Sequence, residues 1–114
     1  MEISNIHNMK GGWFIGNFEP AAYTTGDFEV CYKKHSAGEH WDVHYHTQAT
    51  EINYLIKGKM TIQNIELNSG DIFILKPYEI ADPIFLEDCE LVIVKTPSVK
   101  DDKYIVGEPD QFNI

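Results

Sequence analysis

A length of 114 residues suits one domain with one real core. Eighteen acidic against nine basic residues leave a formal net charge of −9. That balance argues against nucleic acid or an anionic membrane as a partner, since both need a basic footprint, and it disfavours a highly phosphorylated ligand unless a local basic patch offsets the field. No apolar run approaches the roughly 18 residues of a membrane span. The start, MEISNIHNMKGG, has neither the basic nor the apolar region of a signal peptide. Cys31 and Cys89 stand alone in apolar strand-like runs and read as small buried thiols in a reducing compartment, so the cytoplasm is the expected location.

Residues 1–20 read as an N-terminal arm or edge strand, with Trp13, Phe14, Ile15 and Phe18 forming an apolar cluster after Gly11-Gly12. Residues 20–27 are a loop by their Gly, Pro and Thr content. Residues 28–33 read as a strand with Phe28, Val30 and Tyr32 on one face and Glu29 and Cys31 on the other. Ser36-Ala37-Gly38 then turns the chain into a strand on which His40, Asp42, His44 and His46 share one face and Trp41, Val43 and Tyr45 the other. A polar, ionisable face opposite an apolar one fits a strand lining a cavity.

Residues 47–50 are a short polar turn, and residues 52–56 a β-rich run broken by Gly58. Residues 60–67 read as one continuing strand, and Asn68-Ser69-Gly70-Asp71 as a strong turn. Residues 72–75 are apolar on both faces, as expected of a strand in a sandwich core. Pro77 and Pro83 bracket a loop, and residues 84–86 and 89–94 give the last strands. The barrel core is thus expected over 28–96. Residues 97–114 form a polar tail with isolated aromatics, Tyr104 and Phe112, either a short helix or an arm laid along the barrel. Short strands at close spacing indicate an all-β sandwich or barrel, one domain over 1–114.

The chemistry concentrates between Gly38 and Gly58. His44 and His46 are two apart on a strand and project together, and a hairpin over residues 47–50 returns Glu51 beside them. Two imidazoles and a carboxylate converging from strands are ligands for a divalent transition metal. The spacing Gly38-x5-His44-x-His46-x4-Glu51-x6-Gly58 resembles the first signature of the cupin superfamily with no gap. The second cupin signature is similar to Gly70-Asp71, the apolar residues 72–75, and the stretch Lys76-Pro77-Tyr78-Glu79-Ile80-Ala81-Asp82-Pro83. The resemblance covers roughly residues 30–94. It implies a small single-domain cupin, a jelly-roll β-barrel, with an N-terminal segment that commonly pairs with a neighbouring subunit to make a homodimer.

The second signature departs from the pattern because no histidine stands in it. The histidine's place falls on Asp82 if Pro77 is the motif proline, or on Ala81 if Lys76 holds that position, and Tyr78 or Glu79 stands where glycine is usual. The expected metal ligands are therefore His44, His46 and Glu51, with Asp82 as a candidate fourth or else a loop acid capping a turn. Iron, manganese, zinc, nickel or cobalt suits such a set. Glu79, Asp82, Tyr78, Tyr45 and His40 are candidate acid–base helpers, although Tyr45 has the wrong parity and Tyr78 and Glu79 sit in a loop. Lys33-Lys34-His35 is the densest basic cluster, able to meet a carboxylate or phosphate but by default solvated, and His7 has no companions. The expected activity is that of an enzyme on a small polar metabolite such as a sugar or keto acid, by isomerisation, epimerisation or dioxygenation. The alternatives are a non-catalytic ligand-binding barrel and a structural one.

Overall fold

The computed structural model describes residues 1–107; the expected positions of Pro109 and Phe112 lie outside them. Two short 3-10 turns precede β1 (Trp13–Gly16), β2 (Tyr23–Thr24), β3 (Glu29–His35), β4 (His44–Tyr45), β5 (Thr50–Lys57), β6 (Lys59–Ile62), β7 (Ile65–Asn68), β8 (Ile72–Leu75), β9 (Ile84–Phe85), β10 (Cys89–Thr96) and β11 (Tyr104–Ile105). The large sheet runs β2-β1-β3-β10-β5-β8, and two small ones, β7-β6-β9 and β11-β4, complete the set. All pairings are antiparallel except β1 with β2. This is an all-β jelly roll. Among the described residues no helix is long and apolar enough to cross a membrane.

Apolar side chains from the two layers meet in the middle. Leu55, Cys89 and Leu91 of the large sheet pack on Met60 and Phe85 of the small one. A second cluster of Ile62, Leu75 and Ala81 joins the first through Leu67 and Phe73. Cys31 and Cys89 are both buried free thiols, as expected, and burial pushes the Cys31 thiol up to about 11.

Register fixes what faces inward. Across the large sheet, Glu29 pairs with Lys95, Lys95 with Glu51, and Glu51 with Leu75. The next inward row is Trp13, Cys31, Ile93, Asn53 and Phe73. Because side chains alternate, the residues between them form an outward face. There Val94, Ile52 and Ile74 stand side by side, as do Tyr32, Val92, Tyr54 and Ile72.

Three local readings of the sequence are corrected, and for the tail one of the two alternatives is the one seen. β3 runs on to His35, which carries Lys33 and His35 to the inner face with Cys31. Residues 59–68 form a hairpin and not one strand, because Gln63 and Asn64 take φ of 51° and 60°, the left-handed pair that a two-residue hairpin turn requires. Residues 72–75 form an edge strand with one open face, leaving Ile72 and Ile74 exposed. The tail is an arm that adds β11 to β4. β1 is the edge-strand alternative in part: it pairs with β3 of its own chain, and β2 lies outside it.

Gly58, at the end of the first motif, turns between β5 and β6 with φ of 101°, and a Cβ there would lie 2.4 Å from the Asp88 carbonyl oxygen. Both the backbone conformation and the close approach demand glycine. Gly58→Ala is therefore expected to destabilise the fold by about 2–3 kcal/mol in urea unfolding. A loss within experimental error of zero would show that the turn relaxes freely.

Candidate functional site

β4 is two residues long, yet its backbone is held on both sides. His44 exchanges two bonds with Ala81, at 3.0 and 2.8 Å, and the Tyr78 amide donates to the His46 carbonyl at 2.7 Å. On the other side β11 pairs Tyr104 with Tyr45 and Ile105 with His44. Tyr45 lies off the cavity in an aromatic stack, with ring centroids 6.2 Å from Tyr78 and 5.6 Å from Tyr104. His44 and His46, of the opposite parity, turn inward and are buried.

The turn between the histidines and Glu51 is organised by a residue the sequence did not single out. The buried carboxylate of Asp102 accepts the amides of Thr47, Gln48 and Ala49 at 2.9–3.2 Å and the Thr47 hydroxyl at 2.8 Å. Burial pushes this carboxyl up, but the bonds from Ala49, Thr47 and Gln48 outweigh it and hold it below the usual aspartate range. The Asp102 backbone carbonyl meanwhile takes His46 Nδ1 at 2.7 Å. One residue thus shapes the turn and aims a histidine.

A carbonyl oxygen can only accept, so the contact to Asp102 puts the proton of a neutral His46 on Nδ1 and leaves its Nε2 lone pair inside. His44 is held the same way, its Nδ1 2.9 Å from the Asp42 carbonyl. Burial lowers the His44 pKa and keeps that ring neutral. His46 Nε2 is buried without a hydrogen-bond partner, 3.5 Å from Glu51 Oε1. The other Glu51 oxygen accepts from Asn53 Nδ2 at 3.1 Å. Burial pushes Glu51 up, but the Lys95 charge and the hydrogen bond from Asn53 counter it and the group is held below the ordinary range, so it is a carboxylate.

The two imidazole rings lie 5.4 Å apart at 78°. Among the described residues no group of three His, Cys, Asp or Glu side chains is placed to hold a metal ion as it stands. The donor chemistry nevertheless fits a cation. A buried lone pair facing a carboxylate is unsatisfied and repulsive, and a positive ion between them relieves both.

These groups open on a cavity of about 290 Å³ between the layers. Its walls are largely apolar, from Met60, Ile62, Phe73, Phe85, Leu91 and Ile93. Lys33, Lys95 and Lys103 also line it, with Trp13 and Trp41. So does His35, a second buried imidazole. It stacks on Phe85 at 4.0 Å, and its Nδ1 lies 2.5 Å from Glu39, which also accepts from the Trp41 indole. The bonds from His35 and Trp41 hold the Glu39 carboxyl below its usual range. The signal for Lys33 and His35 was the alternation of β3: both share parity with buried Cys31. Of the other expected helpers, His40 is exposed and off the cavity, as is His7. Glu79 caps its own turn by accepting the Lys76 amide at 2.8 Å.

No family model matches the sequence, and no curated protein matches it. Solved structures do. A double-stranded β-helix domain protein from Klebsiella pneumoniae superimposes with a TM-score of 0.62 at 23% identity, over 71% of this chain and 76% of that one. A cupin protein from Bacteroides fragilis gives 0.55 at 24% identity, over 74% and 77%. This chain has the cupin fold. A further match is the β-barrel protein Pac13 from Streptomyces, described as a nucleoside dehydratase, with a TM-score of 0.63 at 14% identity over 72% and 70%. Likeness at these identities gives the fold and leaves the reaction open.

Within the cupin frame the ambiguous second motif resolves. Tyr78 takes φ of 71°, the conformation for which glycine is usual, which puts Lys76 at the proline position and Ala81 at that of the histidine. Ala81 is buried on the cavity wall. Asp82 does not line the cavity; its carboxylate accepts the Gln63 amide at 2.7 Å and caps the β6–β7 turn. The position at which the cupin signature carries a histidine is therefore occupied here by a methyl group.

Asp102→Ala is expected to cost about 3 kcal/mol of stability in urea unfolding, the scale of a buried charged acceptor lost from several donors. The sign with pH follows from its lowered folded pKa: the contribution is complete above the ordinary aspartate value of 3.8 and disappears as pH falls through the folded value. The gap between wild type and Asp102→Asn should narrow over that acid window. A gap independent of pH would assign the stabilisation to shape and not to charge.

Proposed function

We propose that this protein is a metal-binding cupin in which His44, His46 and Glu51 hold a divalent transition ion beside a cavity that takes a small polar metabolite. The observation that carries the reading is the buried, unpartnered His46 Nε2 facing the Glu51 carboxylate at 3.5 Å. Both imidazole protons are committed to backbone carbonyls on the far side of the rings, so both remaining nitrogens are available as donors. Two imidazoles and one carboxylate suit iron, manganese, zinc or nickel. Such an ion, when bound, supplies Lewis acidity to a ligand oxygen or to water. The chain supplies the rest. Asn53 orients Glu51, the apolar walls exclude water, and the His35–Glu39 pair offers an imidazole able to move a proton in an isomerisation or epimerisation. A cavity of about 290 Å³ sets the ligand at metabolite size.

A homodimer belongs to the same reading. The outward face of the large sheet places Tyr54, Ile72 and Ile74 in the open beside Ile52, Val92 and Val94, a contiguous apolar area of the kind that marks an interface. Ile72→Glu with Ile74→Glu should shift the sedimentation coefficient from dimer to monomer; an unchanged value would place any interface elsewhere.

The metal is tested by elemental analysis of protein prepared without chelator or metal resin. About one ion per chain is expected, with loss in the His44→Ala, His46→Ala double variant and retention in Asp82→Asn. Metal retained by the double variant, or a wild-type chain still empty after incubation with divalent ions, would sink the site.

A further inference from the structure

Of the three histidines that line the cavity, His35 is held by contacts of its own. Its ring ends β3, stacked on Phe85 at 4.0 Å and 13°, with Trp41 edge-on at 5.3 Å and 88°. Nδ1 sits 2.5 Å from Glu39 Oε2, and the same oxygen accepts the Trp41 indole N–H at 2.5 Å. The Glu39 amide donates to the Ser36 carbonyl at 3.0 Å, and the Ser36 amide donates to Glu39 Oε1 at 3.4 Å. Two aromatic rings and an anchored carboxylate thus fix one imidazole in one orientation. None of these contacts involves His44, His46 or Glu51.

A carboxylate oxygen only accepts, so the bond to Glu39 puts a proton on Nδ1 and leaves the neutral ring a lone pair on Nε2. Among the described residues Nε2 has no hydrogen-bond partner. An imidazole backed by a carboxylate often deprotonates a serine or cysteine of its own protein. Here it has none to act on, because no serine, threonine, cysteine or tyrosine is among the lining residues. A water molecule is not provided for either. Phe85 packs with Met60, Cys89 and Leu91, with Trp41 against that cluster, and such a wall lacks the two to four polar partners a held water needs.

The proton that Nε2 is placed to take therefore comes from the ligand. Protons on oxygen and nitrogen exchange fast unaided, whereas a proton on carbon needs a fixed base kept out of water. We infer that His35 is a general base for a carbon acid, a ligand whose C–H is activated by an adjacent carbonyl or C=N group. Glu39 is its positioning residue and the counter-charge of the imidazolium that forms. This rests on the reading of the cavity as the ligand site and names the ligand class. It is independent of the metal. The other ionisable groups packed about the ring are Lys33, two residues back on β3, Lys103, which shares Trp41 with Lys33, and the buried Cys89 thiol opposite on β10. Burial lowers the Lys103 pKa, which makes that amine the rival base.

The test uses 5-nitrobenzisoxazole, a neutral planar carbon acid. Nε2 takes the ring C–H proton, that electron pair closes the nitrile, and the N–O bond breaks to leave yellow 2-cyano-4-nitrophenolate. The imidazolium then returns its proton to solvent. The full chain, as purified and after chelator, should turn the probe over saturably and equally fast, at least about a hundredfold above free imidazole at the same concentration. The rate should rise with pH as the imidazole loses its proton. His35→Gln should lower it at least about tenfold. Glu39→Gln should lower it by a similar factor and move the midpoint of the pH profile down, because the imidazolium has lost its anion. A purely structural carboxylate would leave that midpoint in place. Circular dichroism checks that both variants fold. If either does not, nitrogen NMR of the wild-type chain decides: His35 protonated at Nδ1 supports the assignment, and an Nε2–H tautomer overturns it. A rate no better than free imidazole, undiminished turnover in folded His35→Gln, or turnover lost on chelation would also overturn it. Elemental analysis keeps the two readings apart. A metal-free chain that turns the probe over loses the metal reading alone, and a metal-loaded chain that does not loses this one alone.

Discussion

Asp102 ties the end of the described chain to the turn between the two ligand-bearing strands. Its carboxylate gathers three consecutive amides and a hydroxyl, and its own carbonyl fixes the proton of His46. Without that anion the amide of buried Ala49 would lose its acceptor, and those of Thr47 and Gln48 would lose the group that gathers them into one turn. β4 is too short to hold its position by pairing alone. It is kept by Ala81 and Tyr78 on one edge and β11 on the other, and Asp102 sits just ahead of β11. The candidate ligands are therefore positioned by the end of the chain as much as by their own hairpin.

The second organising feature is the inward row of the large sheet. Alternation puts Glu29, Lys95 and Glu51 side by side, so a half-buried lysine separates two carboxylates and helps hold Glu51 below its usual range against the upward push of burial. The same parity along β3 delivers Lys33 and His35. A chain of strongly acidic composition thus builds a cavity rich in ammonium groups. Net charge describes the outer surface and the solubility it confers; it does not describe a concave interior.

The first motif was legible because its spacing is local: two residues apart on a strand and a short return bring His44, His46 and Glu51 to one cavity, although Asp102 and β11 complete their placement. The fold followed from that motif and from the spacing of the strands. What escaped was non-local or conformational. Asp102 read as a tail residue because its partners are more than fifty positions away. The identity of the residue facing inward after Pro77 depended on which of two residues takes a positive φ, and Tyr78 gives no sign of that in its side chain. Gln63-Asn64 hid a hairpin turn for a similar reason, since glutamine rarely adopts the left-handed region. β8 looked like a core strand because a sheet that exposes an apolar face cannot be told by composition from one that buries it.

The alanine at position 81 changes what the cavity is suited to hold. Its backbone does what the fold requires, bonding His44 in both directions, so the strand pairing survives without the histidine side chain. Its methyl group joins Ile62 and Leu75 in an apolar cluster. Where an imidazole would bring a fourth donor, this wall brings volume and apolar surface. That part of the cavity lining, with Met60, Ile62 and Phe85 beside the Ala81 methyl, is thereby apolar, and the ionisable side chains of the lining lie on other elements.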